Sequence, residues 1–502
     1  MSPARRIRQK SNMETRRRDP HVLSPLRRDQ TRQRGAGPSG ILTVKRRLLK
    51  MIVSNLQPLE IPEDPNFLGF AEALSSSVAI PTVPVMRSLL PKVYNEEEQK
   101  LRHILASADD IVLTCELWSS RPEDSFLTIG CHFVDNLGSL KSFMLKTTSL
   151  FGDESADNIQ IQLSAVMEDW GVTPKVHAVI RAGMPQLKKV KARWTHIPCF
   201  ADTLNEVFKV LMRDDDLSSV LRKCQNIVRF FKYDSAAVTE LRKLQNKLGV
   251  KPEELIMYSG ERWLAWLDML QRLDQQYQVM VMVFNNSKKT ELILNETEKE
   301  NLKKIISALE PLRESISMLK GKGFKTISVM LPVLKTLMEK LEEEKRKKNN
   351  VAQKLLTKCK EEFGDINNYK MATATFLDPR YKDQLGDRNR KLALDKITKD
   401  LSNGKAQQAT KIQNQLYTYM DYPPTPEESN PLSWWRHKGK DMFGDLSKLA
   451  LKQLGVVSTA VPLERAFSAA GDHFCSRRSA IEPENLNMML FLNSNWSGDA
   501  QH

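Results

Sequence analysis

Ile111-Val-Leu-Thr-Cys-Glu116 is a short run of β-forming residues that ends on an acid. Two further runs follow, Phe126–Val134 and Leu140–Leu145, with Asp135-Asn-Leu-Gly138 as the turn between them. Short apolar and β-branched runs punctuated by Asp, Asn and Gly predict strands, and three in succession predict an antiparallel meander. Downstream, Ile159, Leu163, Val166 and Met167 keep helical spacing within Ala156–Trp170, and Gly171 supplies the stop signal. Lys175–Ile180 then reads as a buried strand, Trp194–Pro198 as a candidate fifth, and Asp202–Met212 as a helix. Hairpin strands followed by alternating helix and strand define a mixed α/β sheet over residues 107–212.

Outward from this core the character changes. On the N-terminal side, residues 43–106 turn helical, with Leu48, Met51, Ile52 and Leu56 at three- and four-residue spacing. Residues 1–42 are rich in Arg, Ser, Pro and Gly with few aliphatics, the composition of a disordered basic arm. On the C-terminal side, residues 213–403 read as an all-helical block, marked by Leu264, Leu267, Leu270 and Leu273 and by Leu331, Leu334, Leu337 and Leu341. Residues 404–430, polar and ending in Tyr422-Pro-Pro-Thr-Pro, are expected to be a linker. Residues 431–497 are again apolar and helical.

The 502 residues carry a formal charge of +15, and residues 1–50 hold 15 basic and 3 acidic side chains of it. The other 452 positions carry 61 basic against 58 acidic groups, so attraction to polyanions is expected to be local to the arm. Arg16, Arg17 and Arg18, then Lys45, Arg46 and Arg47, are its candidate phosphate contacts or nuclear-import signal. No stretch approaches the apolar length of a membrane span, and the Arg-rich start does not read as a secretory signal. The six cysteines are widely separated, without a Cys-x-x-Cys pair, and are expected to be reduced core thiols rather than zinc ligands or disulfides.

Enzymes with an RNase H-like sheet hold two divalent metals roughly 4 Å apart between carboxylates from separate elements. Glu116, at the end of the first strand, stands where the first carboxylate belongs. At the fourth strand the requirement fails, because residues 175–193 contain neither Asp nor Glu. Glu464, in Val461-Pro-Leu-Glu-Arg-Ala-Phe467, is a candidate third acid. With Arg181, Lys188 and Lys189 near the vacancy, cation repels cation and Mg²⁺ is disfavoured.

Ile111-Val-Leu-Thr-Cys-Glu-Leu-Trp-Ser-Ser120, Ile197-Pro-Cys-Phe-Ala-Asp-Thr-Leu-Asn205, Gly260-Glu-Arg-Trp263 and Phe376-Leu-Asp-Pro-Arg-Tyr-Lys382 occur in this order. Pro431-Leu-Ser-Trp-Trp435 and Pro462-Leu-Glu-Arg-Ala-Phe-Ser-Ala-Ala-Gly471 come after them. Together they resemble the hAT transposase superfamily, particularly the transposase-like region of BED-type zinc-finger proteins, over residues 43 to 497. The resemblance implies an RNase H-like core interrupted by an all-helical insertion and completed by a C-terminal dimerisation region. It also implies that the family's second catalytic Asp falls on Ala182, that its Cys-x-x-His pair appears as Cys199 and Asp202, and that of its acids only Glu464 is unchanged. Arg262 and Trp263 resemble the pair at which an inserted Trp stacks on a flipped base; the competing reading of Trp263 is helix core. The BED finger expected ahead of the core is absent from residues 1–60, which contain no Cys.

In the C-terminal block, Trp434, Trp435, Leu446, Leu449, Phe467, Phe491 and Leu492 are too many large apolar groups for a short piece to bury by itself. They are expected to pack on the core, on a second chain, or on both, the resemblance implying dimerisation. The leading expectation is a domesticated, catalytically inactive hAT-type protein without a metal cofactor. It is expected to be nuclear, to associate with DNA through its arm and with itself or a related hAT-type protein, and to serve in transcription regulation. The alternatives are an active transposase or nuclease using Glu116, Glu464 and a third acid such as Asp202, and a protein-interaction scaffold without DNA binding.

Overall fold

A computed structural model describes residues 38–74, 79–121, 124–190, 192–258, 263–320, 326–364, 369–402, 405–460 and 476–496. Helices α1 (Pro38–Ser54), α2 (Pro65–Leu74) and α3 (Val83–Ala106) lead into strands β1 (Ile111–Arg121), β2 (Asp124–Val134) and β3 (Leu140–Ser149). Then come α4 (Ala156–Asp169), β4 (Val176–Ala182), β5 (Thr195–Pro198) and α5 (Phe200–Met212). All five strands expected from the sequence are present. They form one mixed sheet of order β3-β2-β1-β4-β5, with β1 antiparallel to β2 and parallel to β4. A short helix needs an explicit start, and at α4 the Ser155 hydroxyl accepts from the Asn158 amide.

The insertion is helical throughout its described length: α6 (Asp215–Tyr233), α7 (Ser235–Leu248), α8 (Trp263–Asn286), α9 (Glu296–Lys320), α10 (Met330–Arg346), α11 (Asn350–Phe363), α12 (Tyr369–Leu377) and α13 (Asp387–Ser402). The expected linker is instead mostly helix, α14 (Ala406–Asp421), because Ile412, Leu416 and Tyr419 recur at four and three residues and all three are buried. Its Gln-rich surface hid that stripe. The C-terminal region holds α15 (Pro431–Trp434), a π-helical turn at Trp435–Gly439, α16 (Lys440–Phe443), α17 (Asp445–Leu454) and α18 (Pro483–Asn495).

Alternation along the strands divides the core in two. Ile111, Leu113 and Cys115 of β1 join one cluster with α1, α3, α4 and α18, whereas Val112, Ala178, Ile180 and Ala182 join another with α5, the insertion and α17. The motif Phe376-Leu-Asp-Pro-Arg-Tyr-Lys382 ties the insertion to the C-terminal region. Asp378 and Arg380 form a fully buried ion pair at 2.7 Å, Ser328 donates to the Asp378 carboxylate, and Arg380 donates to the Glu427 carbonyl. The Trp435 indole donates to the Leu377 carbonyl. Five cysteines (Cys115, Cys131, Cys199, Cys224 and Cys359) are buried free thiols, and Cys475 lies outside the described residues.

Candidate functional site: the carboxylate end of the sheet

Parallel pairing sets Glu116 of β1 opposite Ala182 of β4, the last registered pair of the two strands. Side chains of a registered parallel pair share one face, so a methyl group stands beside the Glu116 carboxylate where a second acid would be needed. The Glu116 carboxylate accepts from Arg478 Nη1 at 3.0 Å, across 362 residues of chain. The Arg478 guanidinium also lies 3.6 Å over the Trp118 ring. With side chains only 6% and 17% exposed for Arg478 and Glu116, the cation is held between an anion and an aromatic face with little water to screen it.

Past Ala182 the backbone turns at Gly183, whose φ is +74°. A Cβ there would also stand 3.0 Å from the Leu117 carbonyl oxygen, so both conformation and space select glycine. The Gly183 amide donates to Asp202 Oδ2 at 2.9 Å. Asp202, on the first turn of α5, thus sits beside Ala182 with one carboxylate oxygen on the backbone. Burial pushes its pKa up, against the amide bond that lowers it. Arg181 turns to the Met184 carbonyl at 2.8 Å, and burial lowers its pKa. Cys199 accepts through sulfur from the Ala460 amide, joining the start of α5 to the C-terminal region.

Ala460 and Arg478 flank residues 461–475, the stretch that carries Glu464 and Phe467, and that stretch lies outside the described residues. Both flanking residues line a cavity of about 340 Å³ floored by Thr114, Glu116, Thr128 and His132. Within it His132 is hydrogen-bonded to Thr114 Oγ1 (3.2 Å) and Ser142 Oγ (2.8 Å), and burial lowers its pKa to about 4. Sequence reasoning missed Arg478, Asp202's bond to Gly183 and His132, since none belongs to a local pattern.

The other candidates are scattered. Arg16, Arg17, Arg18 and Arg262 lie outside the described residues. Lys45, Arg46 and Arg47 are on α1, where Arg46 pairs with Glu96 at 2.8 Å and Arg47 is exposed. Trp263, weighed as a base-stacking residue, is 0% exposed in the insertion core, so no face of its ring is open to a base. Of the expected dimer contacts, Trp435, Leu446, Leu449, Phe491 and Leu492 are buried in the chain's own core, and Trp434 is half-buried against Tyr419, Trp435 and Phe443. These side chains are consumed by intrachain packing.

The comparisons match this arrangement. Residues 114–188 match the ZBED1 RNase-like domain, and residues 415–496 match the hAT family C-terminal dimerisation region. Zinc finger BED domain-containing protein 4 of Homo sapiens is 23% identical, covering 89% of this chain and 43% of its own length. Putative AC transposase of Zea mays is 20% identical, covering 88% of this chain and 63% of its own. Zinc finger BED domain-containing protein RICESLEEPER 3 of Oryza sativa subsp. japonica is 22% identical, over 46% of this chain and 33% of its own. The chain therefore carries regions matching an RNase-like domain and a hAT family C-terminal dimerisation region, is similar over most of its length to a BED zinc-finger protein and a putative transposase, and spans less than two thirds of the length of these relatives. No described helix is long and apolar enough to cross a membrane.

Proposed function

We propose that this chain is a domesticated, catalytically inactive hAT transposase-like protein that acts in the nucleus as a self-associating, DNA-associated factor, with a role in transcription regulation. The observation that carries the inactivity is the 3.0 Å pair of Glu116 with Arg478, opposite the Ala182 methyl. A divalent cation needs carboxylate oxygens with free lone pairs. Here one acid is neutralised by a guanidinium, the second position has no oxygen, and Asp202 is bound to the backbone. Among the described residues the donor set does not fit the metal.

Association with DNA rests on the arm. Residues 1–37 hold 11 basic and 3 acidic groups, and the relatives bear names of BED zinc fingers and a transposase. Self-association rests on the match of residues 415–496 to a dimerisation region.

Two measurements test the reading. Incubated with nicked or hairpin duplex and Mn²⁺, the protein is expected to leave the substrate intact; cleavage that disappears in Glu464→Gln would sink the inactive assignment. In the binding assay, log K is expected to fall with log salt, by roughly 0.9 for each phosphate the arm contacts, and the slope to collapse on deleting residues 1–37. The deletion must stop there because Leu48, Leu49, Ile52 and Val53 of α1 are core. Equal binding and equal slope after deletion would remove the arm from the account.

A further inference from the structure

Val250-Lys-Pro-Glu253, in the stretch between α7 and α8, sets a lysine between an aliphatic residue and, two residues on, a glutamate. Lys251, Lys289, Lys340 and Lys360 are the lysines with a glutamate at that distance, and only Lys251 among them follows an aliphatic residue. In extended backbone, residues two apart project to the same side, so such a pattern offers an amine and a carboxylate together to one visiting surface.

The structure presents the pattern in that form. Gly249, at φ +66°, ends α7 and turns the chain away from the helix. Pro252 then disfavours helical backbone at Lys251, and residues 250–258 are neither helix nor strand. Their carbonyls are tied to the two helices. Buried Gln276 of α8 donates to the Lys251 carbonyl at 3.4 Å, buried Gln245 of α7 donates to the Glu253 carbonyl at 3.4 Å, and the two side chains bond each other at 2.9 Å. Arg272 Nη1 donates to the Glu254 carbonyl at 2.6 Å. The backbone is pinned while the Lys251 side chain stands 82% exposed.

Lys251 Nζ meets Glu253 Oε1 at 2.6 Å, so amine and acid do share a side, and Arg272 Nε holds the other carboxylate oxygen at 2.9 Å. An ion pair this exposed adds little stability and opens readily to a partner. Phe231-Lys232-Tyr233-Asp234 is the nearest approximation to the pattern elsewhere in the insertion, and the structure withholds it. Phe231 is buried, Lys232 is in the last turn of α6, and the Asp234 carboxylate accepts from the Ala237 amide as the cap of α7.

We propose that Lys251 is an acceptor site for a ubiquitin-like protein modifier, delivered as a C-terminal thioester on the cysteine of its conjugating enzyme. Val250 meets an apolar patch of that enzyme, the Glu253 carboxylate pairs with basic side chains beside the cysteine, and the extended backbone carries Lys251 Nζ to the thioester. The neutral amine attacks the carbonyl carbon. A C–N bond forms, the C–S bond breaks with its electron pair leaving on sulfur as the thiolate, and the nitrogen gives a proton to solvent. The product is an isopeptide, and the site depends on neither DNA binding nor self-association.

The test is conjugation of the full chain in a reconstituted mixture of small ubiquitin-like modifier, its activating and conjugating enzymes and ATP, read by gel shift and peptide mass. Wild type is expected to gain a modifier, with the branched peptide at Lys251. Lys251→Arg is expected to lose this product while melting as wild type does, which separates loss of the acceptor from loss of the fold. Lys243→Arg, at a lysine 75% exposed on α7, is expected to keep it. Glu253→Gln is expected to slow the initial rate at least about tenfold, the worth of one charge-assisted contact. A wild type that takes no modifier while a peptide carrying the same four residues does, or a product that persists undiminished in Lys251→Arg, overturns the assignment. An initial rate unaffected by Glu253→Gln overturns it as well, since modification would then owe nothing to the pattern.

Discussion

The Arg478 guanidinium answers a local problem. With Ala182 in place of an acid, Glu116 is a mostly buried carboxylate that needs a countercharge, and Arg478 supplies it from the segment before α18 while covering the Trp118 ring. Breaking such a pair from one side takes a charged partner from a mostly buried ion, so Glu116→Leu or Arg478→Ala alone is expected to lower stability by roughly 2–4 kcal/mol. The double variant Glu116→Leu/Arg478→Met is expected to fall within about 1 kcal/mol of wild type in urea unfolding, because it buries apolar groups of similar reach. Additive losses would mean that the two charges are independent. His132 gives a separate signature. In the fold its pKa lies near 4, and burial lowers His177 to about 4 as well, with Lys452 adding to the effect. The unfolded chain takes up these protons from about pH 6.5 downward while the fold refuses them. The melting temperature is therefore expected to fall as pH drops from about 6.5 to about 4, and His132→Gln to flatten that slope. Ala182 was legible at this scale through the resemblance of its motifs and Glu116 through its place at the end of the first strand; Arg478 was not, since a partner 362 residues away leaves no local trace.

Among the elements, those with a clean period were legible. The strands of the meander are short β-forming runs set apart by turn residues, and α4 carries apolar residues at Ile159, Leu163, Val166 and Met167, all buried. Helix α14 was misread because its apolar stripe is only Ile412, Leu416 and Tyr419 within a Gln-rich surface that resembles linker composition. Helix α2 shows the converse, since its apolar pattern says helix and says nothing of what covers it. Gly69→Ala, in open space on that helix, is expected to raise stability by about 0.5–1 kcal/mol in thermal melts of dilute protein. Helix α18 works through two asparagines. Asn495 both accepts from the Met144 amide and donates to the Met144 carbonyl, and Asn487 accepts from the Thr147 amide, so side-chain amides occupy the outer edge of β3. Asn495→Ala leaves a donor and an acceptor of an edge strand without those partners. It is expected to lower stability by about 1–3 kcal/mol and to speed amide exchange at Met144 selectively.

As a whole molecule, the chain is closed by its last elements. The insertion returns to the C-terminal region through an isolated bridge between Thr326 and Val457 and a bond from the Ile327 amide to the Val456 carbonyl at 2.8 Å. Helix α17 packs on the insertion side of the sheet, and α18 covers the β3 edge. Truncation at Asp421 is therefore expected to give aggregated or proteolysed material rather than a folded monomer, in light scattering and limited proteolysis alike. A stable, monodisperse fragment would mean that the C-terminal region is an appendage. The expectation that Trp435, Leu446 and Phe491 pack on the core, on a second chain, or on both read the region's apolar content correctly, and the structure places all three in the chain's own core. Its destination was hidden, because a surplus of apolar residues does not state whether the surface it needs lies in the same chain. The β3 edge has a further consequence, in time. Thr147 and the Asn487 that covers it are separated by 340 residues. At about 5–20 residues per second of synthesis, the strand emerges roughly 20–70 seconds before the helix that shields it. During that interval the nascent sheet offers open backbone to any neighbouring strand, including the same strand on the next ribosome of the message.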